Sequence, residues 1–156
     1  MKKSNKISAL VISTLLLFSA GCGIKALPSA EVNYLSAEDG TLTTRAIGIG
    51  KNKEEAIIDA EKNVFNVLFF RGLPASEQKI ALVGTNETAE KEKNKEYFNK
   101  FYIDKRYKSF VISSNPKSDL TVHKGGKKSI AVEVKINLVA LRKDLEQNNI
   151  IRKFGF

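Results

Sequence analysis

The chain has 156 residues, with 26 Lys and Arg against 17 Asp and Glu for a formal net charge of +9, and it holds one cysteine and one histidine. That inventory excludes an internal disulfide and a zinc site held by Cys and His alone, and it offers no cluster for nucleophilic catalysis. No cofactor or metal is expected, and a single compact domain with a modest core is the natural size class.

Lys2, Lys3 and Lys6 form a positive start, followed by a mostly apolar run from Ile7 to Phe18 and then Ser19-Ala20-Gly21-Cys22. Twelve residues from Ile7 to Phe18 suit a signal-peptide core and fall short of the ~20 that span a bilayer as a helix. The small residues give a peptidase an unobstructed segment, and the thiol of Cys22 is the nucleophile that thioether formation to a diacylglyceryl group requires. This stretch resembles the bacterial lipoprotein signal, with Ser19 standing where that pattern usually has Leu. The resemblance implies cleavage after residue 21 and lipid attachment at Cys22. The competing reading is an ordinary secretory signal with an incidental cysteine, which would leave an unpaired thiol to be explained. Several acyl chains, at ~0.8 kcal/mol per buried methylene, anchor a protein as one chain cannot.

Removal of residues 1–21 takes three lysines and no acid, leaving 23 basic against 17 acidic residues, or +6. An exported chain of this kind has no nucleic-acid partner. Its excess charge suits anionic head groups, cell-wall polymers or an acidic protein, and equally an ordinary solvated surface. From residue 22 to 40 the pattern is aperiodic and reads as a flexible tether. Early acids that would favour export to the cell surface are missing, which points to the outer membrane, facing the periplasm.

The domain proper is expected from 41 to 148. Thr41 to Lys51 is the first strand, with Leu42, Thr44, Ala46, Gly48 and Gly50 on one face, where glycine invites a closely packed helix. Gly48-Ile49-Gly50-Lys51 lacks the spacing and the Ser or Thr of a phosphate loop. Asn52 and Glu55 form a capping box for a helix from Lys53 to about Arg71. Its stripe is Ile57, Ala60, Val64, Val67 and Leu68, with Glu54, Glu55, Asp59, Glu61 and Lys62 on the solvated side, and Gly72 and Pro74 stop it. Ala75 to Thr88 carries no clear signal. A second helix is expected from Glu90 to about Lys105, its aromatics Tyr97, Phe98, Phe101 and Tyr102 facing inward and its lysines snorkelling.

A strand near Phe110-Val111-Ile112 pauses at Asn115-Pro116 and resumes through Leu120-Thr121-Val122. Lys124-Gly125-Gly126-Lys127-Lys128 is a hairpin turn. Ile130, Val132, Val134 and Ile136 then alternate with Ala131, Glu133, Lys135 and Asn137 in the clearest strand of the chain. Leu138 to about Gln147 is a closing helix, and 149–156 is a tail that ends in Phe154-Gly155-Phe156. The expected order is strand, helix, helix, hairpin, helix, with about three antiparallel strands and the helices on one face.

Ala46-Ile47-Gly48-Ile49-Gly50 leading into Glu55-Ala56 and Ala60, with Ile130-Ala131-Val132-Glu133-Val134, resembles a family of small bacterial lipoproteins. These are related to the N-terminal domain of the flagellar-assembly T-ring protein and include a twenty-kilodalton membrane-associated lipoprotein. The resemblance spans Thr41 to Leu145. It implies a helix-on-sheet domain that binds other envelope proteins without known catalysis.

Three functions follow as expectations: an envelope interaction or assembly module, a binder of anionic glycan or lipid head groups through Lys124, Lys127 and Lys128, and an enzyme of unknown type. The ordinary explanation of those lysines is turn solubility and protection of a sheet edge. His123, beside the turn, reads as an exposed neighbour rather than a base or ligand. Glu54-Glu55 and Glu38-Asp39 read as solvated charge, so the chain is expected not to be an enzyme.

Overall fold

The computed structural model describes residues 31–123 and 125–152. Their order is β1 (Val32–Glu38), β2 (Thr41–Gly50), α1 (Lys53–Phe70), α2 (Glu87–Lys93), α3 (Lys95–Tyr102), a 3₁₀ turn (Arg106–Phe110), β3 (Val111–Pro116), β4 (Thr121–Val122), β5 (Lys128–Asn137) and α4 (Leu138–Gln147). The class is α+β, and among the described residues the antiparallel sheet has five strands rather than three. They run β1-β2-β5-β3, with β4 pairing β5.

Strand β1 corrects the reading of 22–40 as tether throughout. Asp39 and Gly40 both take positive φ, 47° and 75°, the signature of a two-residue type I′ turn whose twist matches a hairpin. The chain therefore folds back on β2, from Val32↔Ala46 to Glu38↔Thr41. A register shift between Tyr34 and Ser36 interrupts the alternation, because a bulge throws the side chains beyond it out of phase. Residues 22–30 lie outside the described residues.

The packed face of the sheet is built by cross-strand pairs: Leu42↔Ile136, Thr44↔Val134, Ala46↔Val132 and Gly48↔Ile130. The side chains in these pairs are buried, and α1 lies over them. A Cβ added at Gly48 would fall 1.8 Å from the Ala56 carbonyl oxygen and 2.6 Å from the Ala60 nitrogen. Only a hydrogen fits, so the helix rests backbone to backbone on β2.

Helix α1 starts where the capping box places it. Asn52 Oδ1 accepts from Glu55 N at 2.8 Å, and Glu55 Oε2 in return accepts from Lys51 N at 2.9 Å, one residue before the cap. Gly72, at φ 77°, donates to Val67 O at 2.8 Å and ends the helix. Two acids expected on the wet side turn out otherwise. Glu61 is buried (2% exposed), and Asp59 reaches back to the sheet. Where β1 ends alongside β2, α1 supplies the missing ladder partners: Ile49 N donates to Asp59 Oδ2 at 2.9 Å and Asn63 Nδ2 donates to Ile47 O at 3.1 Å.

The stretch after α1 is neither strand nor helix through Lys79–Val83. It runs past the end of α1 and satisfies its last carbonyls, with Leu82 N donating to Leu68 O at 2.9 Å and Val83 N to Phe69 O at 3.0 Å. The expected single helix over 90–105 is split at Asn94 (φ −116°, ψ 36°), whose Nδ2 donates to Glu90 O at 3.1 Å. An Asn amide that bonds the preceding turn competes with the helical ladder, which is why the helix breaks there. Phe65, Phe69 and Phe101 form the aromatic heart, with Phe101 5.2 Å from Phe65, 5.1 Å from Phe69 and 5.9 Å from Phe110 between ring centroids. These aromatics are core, as their helical spacing implied. Substitution Gly48→Ala is expected to cost about 3 kcal/mol of stability by overpacking, read as a lower urea midpoint, whereas Thr43→Ala on the opposite face should stay within about 1 kcal/mol.

Candidate interaction surface

The register Gly50↔Lys128 and Val122↔Lys128 sets the end of β2, the start of β5 and β4 side by side. It therefore gathers Lys51 and Lys53, before and at the start of α1, with Lys127 and Lys128 of the hairpin. Lys51, Lys53 and Lys127 are exposed and Lys128 is half-buried. Lys124 lies outside the described residues. The turn is closed by His123 N donating to Lys127 O at 2.8 Å and Gly126 N to His123 O at 3.2 Å. Gly125 and Gly126 take φ of 86° and 77°, and a Cβ at either would meet nothing within 4 Å, so the tip stands clear of the domain. Val122 is 64% exposed beside the lysines. The acids of this end are Glu54 and Glu55, the latter engaged in the cap, together with Glu31 and Asp119.

His123 is not the exposed neighbour its position suggested. The residue is 8% exposed and its Nε2 lies 2.7 Å from Ser129 Oγ across the hairpin. Its buried Nδ1 has no hydrogen-bond partner among the described residues.

A hollow of about 410 Å³ opens next to the same lysines, lined by Lys53, Glu54, Ile57, Ile58, Lys105 and Lys108. Its lining mixes two isoleucines with three lysines and Glu54, and one of those lysines, Lys108, is paired with Glu61. The opposite end of the sheet carries a cleft of about 270 Å³ between the β1–β2 turn and α4, with Glu38, Asp39, Glu77, Gln78, Val139 and Arg142 in its walls. There Arg142 Nη2 donates to Gln78 Oε1, which ties α4 to the loop after α1.

The buried acids are structural clasps. Glu61 Oε1 accepts from Ser114 Oγ at 2.7 Å, and its Oε2 forms an ion pair with Lys108 Nζ at 2.5 Å, holding β3 and the 3₁₀ turn to α1. Asp144 Oδ2 accepts from the Tyr97 hydroxyl at 2.8 Å while Oδ1 pairs with Arg106, joining α3 and the 3₁₀ turn to α4. Losing one partner of such a pair costs a few kcal/mol, because a buried charge or hydroxyl is left uncompensated. Among the described residues no group of three or more His, Cys, Asp or Glu side chains is placed to hold a metal ion.

Burial, and secondarily the Glu61 carboxylate, pushes the Tyr107 phenol up to about 12. Burial followed by the hydrogen bond to Asp144 raises Tyr97, and burial followed by the charge of Glu87 raises Tyr102, each above the ordinary 10.0. The unfolded chain releases these protons near pH 10, whereas the folded chain keeps them. Stability is therefore unaffected by the phenols below pH 10 and should fall as the pH rises from about 10 through about 12. Urea midpoints at about pH 9 and about pH 11 should drop less in Tyr107→Phe than in the unaltered chain. Comparison of the chain with protein-family models, with curated proteins and with solved structures finds no match.

Proposed function

We propose that the protein is a lipid-anchored bacterial envelope lipoprotein whose domain works as a non-catalytic interaction or assembly module, tethered to the outer membrane and facing the periplasm. The observation that carries the reading is Cys22, placed after three lysines, an apolar run and the small residues Ser19, Ala20 and Gly21. The family of small lipoproteins resembled by Ala46–Gly50 and Ile130–Val134 supports it. Among the described residues no helix is long and apolar enough to cross a membrane.

The partner is another envelope protein, and the fold offers a surface suited to it. Edge strand β1 is mostly exposed along its length and includes Leu35 (38% exposed). The other edge is treated differently: β3 ends in Pro116, Lys117 pairs with Glu133 at 3.2 Å, and Ser118 Oγ accepts from Ala131 N at 3.0 Å. Proline and lysine are standard guards against strand addition; β1 carries neither, and its own guards are the bulge between Tyr34 and Ser36 and the terminal Glu38. An extended segment of a partner would therefore pair along β1, whose backbone groups supply the affinity. The second reading, an anionic-glycan binder, rests on the exposed Lys127.

Fractionation and in-cell cross-linking of tagged protein, with and without Cys22→Ser, test the proposal. The unaltered chain should sediment with membranes and yield one defined envelope protein. Cys22→Ser should become soluble and lose most of that yield, and Ala37→Pro in β1 should lose the partner while keeping the membrane. Equal membrane association of both chains would remove the anchor. Capture by soluble anionic glycan that collapses at high salt would favour the second reading.

A further inference from the structure

We propose that the segment received along β1 is a basic one, and that a lysine or arginine of this partner strand enters the cleft beside the Asp39-Gly40 turn. This rests on the reading of β1 as the docking edge and names the chemistry of its occupant.

The edge and the cleft are continuous. Ala37 and Glu38 are the last two residues of β1, and they also line the cleft of about 270 Å³ together with Asp39, Glu77 and Arg142. A strand laid along β1 to its end is thus carried to the mouth of that cleft. Glu38, Asp39 and Glu77 are exposed, and their carboxylates meet no hydrogen-bond or ion-pair partner among the described residues. Arg142 is the cation of the lining, and its guanidinium already donates to Gln78 Oε1. Three carboxylates against one guanidinium leave the negative charge in excess. Leu138 and Val139 line the same space, which suits the methylene stem of a long basic side chain whose charge stays at the rim.

The sequence of the edge agrees with this. In a chain of net charge +9, Ala26 to Thr44 hold the acids Glu31, Glu38 and Asp39 and no lysine or arginine. Strand β1 itself carries a single charge, Glu38. Arg45 of β2 stands opposite Asn33, in the half of β1 away from the turn. Glu38 therefore guards the edge selectively, repelling an added strand that ends in an acid and favouring one that ends in a base. A second copy of β1 is a poor occupant for the same reason. Paired antiparallel about Leu35 it would set Glu31 against Asp39, and paired parallel in register it would set Glu38 beside Glu38. Like charges meet in both arrangements.

The test uses the full chain in detergent micelles and reads amide hydrogen exchange in β1. The probes are short peptides of alternating valine and threonine, flanked at both ends by lysine, glutamine or glutamate. Strand addition slows exchange of the edge amides. The lysine peptide should protect Val32 to Glu38 at about one-tenth the concentration that the glutamate peptide needs, as a few exposed charge contacts supply. The glutamine peptide should fall between them. The double change Glu38→Lys and Glu77→Lys, both at exposed positions, should reverse the order at an unchanged urea midpoint. Equal protection by the three peptides, or an order that the double change leaves as it was, would overturn the basic occupant and leave the edge standing. No protection of β1 by any peptide would remove the edge and its occupant together. Protection in the chain alone that grows with its concentration would give the edge to a second copy and overturn the proposal.

Discussion

The close seat of α1 on β2 is the constraint from which the rest of the domain follows. With Gly48 beneath Ala56 and Ala60, the helix lies near enough to the sheet for Asp59 and Asn63 to bond the backbone of Ile47 and Ile49. Those side chains take the place of a strand that β1 does not extend far enough to provide. A larger residue at Gly48 would lift the helix, detach both bonds and open the layer that buries Val64 and Leu68. Dispersion and apolar burial fall off steeply with such a gap, so small residues at three positions govern a much larger contact.

Above that seat, the aromatic cluster and the two buried acids divide the work. Phe65, Phe69 and Phe101 supply apolar burial, which is large and non-directional. Such packing tolerates small slides of one helix on another. Glu61 and Asp144 do not, because each carboxylate must meet partners from two other elements: Ser114 and Lys108 in one case, Tyr97 and Arg106 in the other. The net contribution of such pairs to stability is modest once desolvation is counted. Their effect is to choose one arrangement of α3, α4 and the 3₁₀ turn among the several that the aromatic contacts alone would permit.

The parts of the fold legible in the sequence are those whose signal is local. The cap of α1, its glycine stop, the clean alternation of β5 and the double-glycine hairpin all follow from residues within a few positions of one another. What escaped was non-local or interrupted. The bulge between Tyr34 and Ser36 broke the period of β1, although Asp39-Gly40 was a turn signal in plain view. Glu61 looked like surface because helical periodicity assigns a face, and its partners lie 47 and 53 positions away at Lys108 and Ser114. His123 was misread although its partner Ser129 lies only six positions on across the hairpin, because a lone histidine beside a turn carries no periodic signal for the face it takes. The candidate surface divides likewise. The lysines of the turn were visible as a run, but Lys51 and Lys53 join them only through the register that places Gly50 opposite Lys128.

That register also sets where the described chain enters the sheet. In an antiparallel hairpin the first strand begins at one end and hands the chain to its neighbour at the other, so Glu31 and the Asp39–Gly40 turn lie at opposite ends of β1. Glu31 O accepts from Ile47 N, and from there Asp59 and Asn63 of α1 take over the backbone groups of Ile49 and Ile47. One side of β2 is thus divided between a strand and a helix. The same division leaves β1 at the edge of the sheet, with a row of backbone groups that no other described strand covers.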